Sequence, residues 1–352
     1  MKNGNHKELT VGSLYAGIGG ICRAFEKAGA KLLWANEFDP YAQLTYKKNF
    51  RHTLLPKDIS YYEDRLNELI SENADPEERI VRPDILTSGF PCQAFSIAGR
   101  RLGFEDLRGL HFFKTMSFLE KLQPSAFLFE NVKNLQSHNN GDTIETIKDA
   151  IHKAGYSYVI RVLNTMIFGN VPQNRERVFI VGFKGEAHFN NPEHNKMAST
   201  LPALKTETFL GLFPKPVPLK KSVRDLLQDK VDKVYYYSKF SCYKTLKTFV
   251  KKTHTVYQWR RVYARENKSN VCPTLTANMG TGGHNVPLVL DSNGIRKLTP
   301  RECARFQGFK DRELIFPKNM ANSHLYKQLG NSVTVPVVER LARAIIKSIN
   351  FS

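Results

Sequence analysis

Acidic residues are in short supply in this chain. Its 352 residues include 33 Asp and Glu against 52 Lys and Arg, a formal net charge of +19. So few negative charges argue against a cationic partner and for a polyanionic one. The deficit is concentrated: residues 184–298 hold about 20 Lys and Arg against about 8 Asp and Glu. Cysteine is sparse too. Five cysteines, an odd number with no Cys-x-x-Cys spacing, speak against a disulfide framework and against a structural zinc site. A reducing cytosol is the compartment expected. No apolar run reaches the roughly 18 residues of a membrane span. The polar start Met1-Lys2-Asn3-Gly4-Asn5-His6 lacks the apolar core of a secretion signal. Internal repeats are absent. What is there is 41% hydrophobic residues and 23 phenylalanines, enough for one large domain and a smaller one.

Short apolar runs alternate with helical stretches. Val11 to Tyr15 reads as a strand, Ala16-Gly17-Ile18-Gly19-Gly20 as a tight glycine turn, and Ile21 to Ala28 as a helix stopped by Gly29. Leu32-Leu33-Trp34-Ala35 is the next strand, ending at Asn36-Glu37, and Asp39-Pro40 opens a helix. Further strands are expected near Ile85, Phe127, Val159 and Val178-Phe179-Ile180-Val181. A helix from about Thr143 to Ala154 has Ile144, Ile147 and Ile151 as its apolar stripe, Asp142 as N-cap and Gly155 as stop. The alternation predicts an α/β fold, a mostly parallel sheet with helices on both faces. It fails after about Lys184. The proline-rich, polar stretch 190–222 reads as a crossing between domains, and 223–297 as basic, tyrosine-rich and irregular. From Leu298 the chain tightens, and Val335 to Ile349 is apolar at helical spacing.

Two positions stand out chemically. Cys92, in Gly89-Phe90-Pro91-Cys92-Gln93, follows one apolar run, and Glu130, in Phe129-Glu130-Asn131-Val132, ends another. In an open α/β sheet chemistry gathers beyond the carboxyl ends of the strands, so a thiol nucleophile and a proton-donating carboxyl would meet at one rim. Each has a plain alternative: an inert buried thiol and a surface or capping charge. Pro91 stiffens the turn before Cys92, where backbone N–H groups favour a thiolate. The glycine turn followed about 20 residues later by Glu37 has the layout of a ribose-binding site, although Glu37 also suits a helix N-terminal charge.

Together these segments resemble the cytosine-C5 DNA methyltransferases of bacterial restriction–modification systems. Ser13-Leu14-Tyr15-Ala16-Gly17-Ile18-Gly19-Gly20 is similar to the family's motif I, Asn36-Glu37-Phe38-Asp39 to motif II and Asp58-Ile59 to motif III. The Cys92 and Glu130 segments resemble motifs IV and VI, and Phe104-Glu105-Asp106-Leu107-Arg108-Gly109 the approach to motif V. Gln173-Asn174-Arg175-Glu176-Arg177 matches the Q-x-R-x-R of motif VIII; 301–309 is similar to motif IX and 328–333 to motif X. The order is the family's, and only about 185–270 falls outside the match. Two positions depart from the pattern: Ser13 stands where Asp is common, and Arg108-Gly109-Leu110-His111 where Arg-Gly-Thr-Leu is more frequent.

The resemblance implies a Rossmann-like S-adenosyl-L-methionine-dependent methyltransferase with an inserted target-recognition domain. The implied spans are a catalytic domain over 1–200, recognition over 201–300, a hinge with motif IX over 301–327, and a return to the catalytic domain over 328–352. Cys92 is implied as the nucleophile on cytosine C6 and Glu130 as the group that neutralises N3. Arg177 is expected to hold the base O2, with Arg175 in support; an ion pair with Glu176 or a phosphate contact is the alternative. Tyr15, Gly17, Gly19, Glu37, Phe38, Asp58, Ile59, Asn331 and Val333 are the implied cofactor residues. The target base has to leave the stack. Ser96, Arg100 and Arg101 are expected on the loop that closes over it. Gln258, Arg260, Arg261, Thr274, Gly282 and Gly283 are the candidates for contacts to DNA, where base reading and phosphate holding are both open. The stretch from Thr274 to His284 resembles that of enzymes reading short palindromes of the CC(N)GG kind. No metal is implied. The partner is duplex DNA, bound by a monomer in the bacterial cytosol, with room for a cognate endonuclease acting on the same site. Two rival readings stand: an RNA cytosine methyltransferase on the same motifs, and a DNA-binding regulator without catalysis.

Overall fold

The computed structural model describes residues 8–91, 110–185, 204–281 and 284–350. Strands β1 (Thr10–Leu14), β2 (Lys31–Asn36), β3 (Thr53–Leu55), β4 (Ile85–Ser88), β5 (Ala126–Val132), β6 (Tyr156–Asn164) and β8 (Glu176–Lys184) form one seven-stranded sheet. The short β7 (Gln173–Asn174) lies apart from it. The sheet order is β3-β2-β1-β4-β5-β8-β6. The β1–β2, β2–β3, β1–β4 and β4–β5 pairs are parallel. The expected mostly parallel sheet has one exception: β8 runs antiparallel to both neighbours, β5 and β6. The connection from β6 carries only the one-turn helix Thr165–Phe168 and β7, and it returns the chain beside β6 in the opposite direction.

Alternate side chains of these strands enter two cores. Leu128, Phe179 and Val181 join one; Phe127, Phe129, Val178 and Ile180 join the other. The helices Gly20–Lys27 and Val335–Asn350 cover the first face, while Leu110–Leu122 and Asp142–Lys153 cover the second. Burial on both faces explains why these strands read as unbroken apolar runs. Gly141, at φ 98°, is the N-cap of Asp142–Lys153, so Asp142 is its first residue and not its cap. Its negative charge still lies in the first turn, where the helix dipole favours it.

Two stretches differ from their sequence reading. Within 190–222, residues 204–212 form a helix, Leu204–Leu212, packed against β6, β8 and Val335–Asn350. Phe209 is fully buried, its ring 5.6 Å from that of Phe183. The stretch 223–297 is not irregular. It holds a four-stranded antiparallel sheet, β10-β9-β12-β13, made of β9 (Tyr257–Trp259), β10 (Ala264–Glu266), β12 (Val286–Asp291) and β13 (Gly294–Lys297). Tyr237, Leu246, Tyr257, Trp259, Val286, Leu288 and Ile295 give this sheet a core of its own. Between its second and third strands, β11 (Cys272–Pro273) pairs in parallel with β7.

A buried ion pair ties the small sheet to the helix Pro300–Phe306. Arg296 on β13 meets both carboxylate oxygens of Glu302 at 2.8 Å and Asp291 at 2.6 Å. Glu302 also accepts from the Thr299 N–H at 2.7 Å, closing the capping box of that helix. Among the described residues no helix is long and apolar enough to cross a membrane.

Candidate active site

β1, β2, β4 and β5 end at one rim of the large sheet, and a cavity of about 450 Å³ opens there. That volume lies inside the range of about 300–1,000 Å³ for small-molecule sites. Tyr15, Gly17, Glu37 and Phe38 line it from the first two strand ends. Glu130, Arg175 and Arg177 line it from β5 and the segment of β7 and β8. Asn331 and Val333 close it from the end of the helix Asn322–Asn331. These nine of the expected residues are therefore brought together. Gly19 is not on the wall. It stands behind it at φ 84°, with the Phe50 ring where a β-carbon would sit, so only glycine fits the turn. Asp58 and Ile59 are not on the wall either. The Asp58 carboxylate caps the helix Ile59–Asp64 through the Ser60 N–H at 2.9 Å, and Ile59 is buried in the second core. Cys92, Ser96, Arg100, Arg101, Gly282 and Gly283 lie outside the described residues.

The fit to an adenosyl cofactor rests on two features. Around Gly17, at φ 58°, nothing lies within 4 Å of where a β-carbon would be, which leaves room for a ligand against the backbone. Glu37 is set in place from behind: one carboxylate oxygen accepts the Gly17 N–H at 2.8 Å, the other the Asp39 N–H at 2.8 Å. Two carboxylate oxygens offer about four acceptor sites, so half remain for a diol.

Glu130 lies inside β5, one residue beyond the last pairing of β5 with β4. The Arg177 Nε is 3.1 Å from Glu130 Oε1. Burial pushes this carboxyl above the usual carboxylate range, against the pull of Arg177 and then Arg175. The adjacent Asn131 donates from Nδ2 to the Phe90 carbonyl at 3.1 Å. The strand bearing Glu130 is thereby fastened to the segment that leads into Cys92. Of the other cysteines, Cys22, Cys272 and Cys303 are buried, and burial raises their thiols, Cys22 to about 11. Cys242 packs against the core of the small sheet. A raised thiol gives little thiolate.

Arg175 is a fastener. It is 2% exposed, and it donates to the carbonyls of Leu275 at 2.8 Å, Ser332 at 2.7 Å and Gly330 at 3.2 Å. These bonds direct the guanidinium at backbone and suit it to position the segments around it. Gln173 and Gln307, which the sequence reading did not single out, complete the joint. Gln173 donates to the Phe306 carbonyl at 2.6 Å and accepts from the Leu275 N–H at 3.1 Å. Gln307 donates to the Leu329 carbonyl at 2.7 Å. Both stand inside quoted motifs, but only their long-range partners reveal the role. Lys327, also unanticipated, lines the cavity and meets Asp39 at 2.7 Å.

Of the expected DNA contacts among the described residues, Gln258, Arg260 and Arg261 fall on the small sheet and its β9–β10 turn, and Thr274 beside β11. Tyr257 and Trp259 point into its core, leaving half-buried Gln258 on the other face, in register with exposed Arg265. Arg260 donates to Asn285 Oδ1 and, at 3.4 Å, to Gln258 Oε1. Arg261 is exposed at the β9–β10 turn, with φ 71°. The Thr274 hydroxyl donates to the Asn174 carbonyl at 2.7 Å.

A family model, C-5 cytosine-specific DNA methylase, matches residues 9–347. The chain is 46% identical over 346 residues to Type II methyltransferase M.Bsp6I of Bacillus sp. (strain RFL6), covering 97% of this chain and 99% of that one. It is 37% identical over 350 residues to Type II methyltransferase M.HaeII of Haemophilus aegyptius, covering 98% and 95%. Among solved structures, the S. pombe Dnmt2 methyltransferase superposes with a TM-score of 0.70 at 20% identity, covering 97% of this chain and 100% of that one. A putative DNA modification methyltransferase encoded within an E. coli prophage gives 0.62 at 21% identity, covering 97% and 99%. At those identities the two structures speak for the fold.

Proposed function

The chain belongs to the C-5 cytosine-specific DNA methylases and is an S-adenosyl-L-methionine-dependent DNA (cytosine-5-)-methyltransferase; on that premise we propose that it works through a covalent Cys92–cytosine adduct on a base flipped from duplex DNA. The observation that carries this reading is the largely buried Glu130 carboxyl, held 3.1 Å from Arg177 and fastened through Asn131 to the segment that enters Cys92.

Cytosine C5 is a weak nucleophile. Addition of the Cys92 thiolate to C6 makes the ring an enamine, and charge develops on N3. Glu130, raised by burial, supplies the proton or strong hydrogen bond that N3 then requires. Arg177 keeps the carboxyl oriented and presents its guanidinium to the base O2. When bound, the cofactor supplies an electrophilic sulfonium methyl for C5. Removal of the C5 proton then lets the C6–S bond break, returning Cys92. The ring face is closed off inside a stacked duplex, so the base has to swing out, at a cost of a few kcal/mol. Ser96, Arg100 and Arg101 serve that closure. Glu37 takes the ribose hydroxyls, with Gly17, Asn331 and Val333 around the rest of the cofactor. Asp58 and Ile59 lie off the cavity wall, and their adenine contacts rest on the family resemblance alone.

The division of labour follows the two sheets. The span 1–200 with the return 328–352 does the chemistry, 301–327 joins, and 201–300 selects the target, except that the helix Leu204–Leu212 serves the large sheet. The net charge of +19 suits duplex DNA. Its Type II relatives motivate a protective role beside a cognate endonuclease, with the chain acting as a monomer in a bacterial cytosol.

DNA carrying 5-fluorocytosine at the target tests the mechanism. Fluorine does not leave as a proton, so a stable adduct accumulates, and peptide mapping should place it on Cys92. Cys92→Ala should lose methyl transfer and the adduct while still binding DNA. An adduct on another cysteine, or an active Cys92→Ala, overturns the mechanism. Methyl transfer to tRNA in preference to plasmid DNA would overturn the substrate.

A further inference from the structure

His111 replaces the leucine of the more frequent Arg-Gly-Thr-Leu, and the structure gives it a partner. Its Nδ1 lies 3.1 Å from the Tyr15 hydroxyl, and the two rings meet edge to face with centroids 5.4 Å apart at 86°. The Tyr15 hydroxyl also reaches the His111 carbonyl at 3.3 Å. That carbonyl accepts from Thr115 Oγ1 at 3.0 Å, and Thr115 is 3.2 Å from the Ser88 hydroxyl at the end of β4. Tyr15 lines the cavity; His111 does not. Tyr15 also stands at φ 53°, in the left-handed region that a side chain other than glycine seldom adopts. Such a conformation persists where the surroundings over-determine it. The backbone bond from Ala16 N–H to the Asn36 carbonyl at 2.9 Å fixes the main chain beyond it. The hydroxyl contact fixes the other end of the side chain.

We propose that His111 is a positioning residue for the methyl donor, holding the Tyr15 ring in place as a preformed wall of the cofactor cavity. This rests on the reading of that cavity as the cofactor site. A ring that is already fixed has less freedom to lose when a ligand packs on it, so the contact strengthens binding without touching the reacting atoms. Either neutral tautomer serves. With Nδ1 bare, the imidazole accepts from the phenol. With Nδ1 protonated, it donates to the phenolic oxygen while the phenol donates to the His111 carbonyl. Burial, and then Lys114, hold the imidazole below its usual range, against Asp58, so the ring is neutral at neutral pH.

The test is calorimetric binding of S-adenosyl-L-methionine to the full chain, with steady-state kinetics and melting curves alongside. Tyr15→Phe and His111→Ala should each raise the cofactor Kd and KM by about threefold to tenfold. The kcat of His111→Ala at saturating cofactor should fall less than about twofold. The double variant should bind no more weakly than the weaker single variant, since both remove one contact. His111→Asn, which keeps a polar group near the Nδ1 position, should recover most of the affinity. Losses that add in the double variant, a Kd unchanged in Tyr15→Phe, or an effect confined to kcat would overturn the proposal. If the unaltered protein bound no cofactor, the assignment of the cavity would fall first.

Discussion

Two populations of arginine divide the molecule. Arg175, between β7 and β8, and Arg296, on β13, are buried and directed at protein: three backbone carbonyls for one, Glu302 and Asp291 for the other. On the small sheet, Arg261 and Arg265 are exposed. The first kind is costly to bury unless every partner is present, so it makes sense only where geometry has to be rigid. The second kind costs little and suits a polyanion. The contrast teaches that the positive charge of this chain does two different jobs. Buried cations set the geometry shared by every turnover, and exposed ones, in the function proposed above, are suited to a polyanion.

The sharpest way to break that division is at Glu130, where the buried pole should lose chemistry and gain stability. Glu130→Gln should lower kcat by about 10²–10⁴-fold, the usual contribution of a positioned acid. Its carboxyl is raised in the folded state, so the folded protein holds the proton more tightly than the unfolded chain. That contribution is fully present below the unfolded pKa and is lost as pH rises through the folded one. The glutamine, which never ionises, should therefore melt higher than the parent at neutral and alkaline pH. The gain should vanish on acidification. Melting curves across pH check this, and a glutamine variant that melts lower than the parent at alkaline pH contradicts it.

Arg175→Met probes the same pole as architecture. Leaving a buried acceptor without its donor costs about 1–3 kcal/mol. Here the carbonyls of Leu275, Gly330 and Ser332 lose their donor together. Denaturant unfolding should show that loss. If stability held and only the cofactor or DNA constants changed, Arg175 would belong with the groups that meet substrate.

The two regions were also unequally legible. The glycine turn, Glu37, Glu130 and the strands around them stood out because buried parallel strands are continuous apolar runs, and a site at their ends is short-range in sequence. Gln173 and Gln307 did not stand out, because their partners lie 100 or more residues away in the first case and on another helix in the second: Gln173 meets Phe306 across 133 positions. The helix Leu204–Leu212 was masked by the prolines and polar residues around it, and its polar residues Lys205, Thr206, Glu207 and Thr208 run consecutively instead of recurring on one face. β9, β10 and β13 are three or four residues long, too short for alternation to register. Their core is assembled from Tyr237, Leu246 and Val286, which no local window contains together.

Exchanging 223–297 for the matching segment of a related enzyme sharpens the comparison further. The chimera should methylate the donor's site with its chemistry intact, since Glu130, Arg177 and the glycine turn lie outside the segment. Bisulfite sequencing reads both outcomes at once. An active chimera faithful to the original site would move specificity into the catalytic part. Arg296 and its bonds to Glu302 and Asp291 set a condition on the experiment. The incoming segment has to bring an arginine at that place, or the small sheet loses its tie to the helix Pro300–Phe306.

The smallest effect is expected within one turn of the small sheet. Arg260 and Arg261 are adjacent, and both were candidates for reading bases. The structure separates them. Arg260 donates to Asn285 and Gln258, and its backbone N–H closes the turn on the Tyr263 carbonyl at 2.9 Å. Arg261 is exposed at the tip of that turn in a left-handed conformation, followed by Val262 at 76% exposure. Arg261→Ala should then cost about 1–3 kcal/mol against the cognate site alone and relax one of its positions, if the side chain reads a base edge. Were it a phosphate contact, the loss would be uniform, and the log–log salt slope would shrink by about 0.9. Arg260→Ala should loosen the turn and weaken all sequences alike, with little change in the salt slope, because its guanidinium is held by the Asn285 and Gln258 amides instead of reaching out to a phosphate. Binding isotherms at three salt concentrations, on cognate and single-mismatch duplexes, distinguish these outcomes. An Arg260→Ala variant that relaxed one position while Arg261→Ala relaxed none would reverse the assignment.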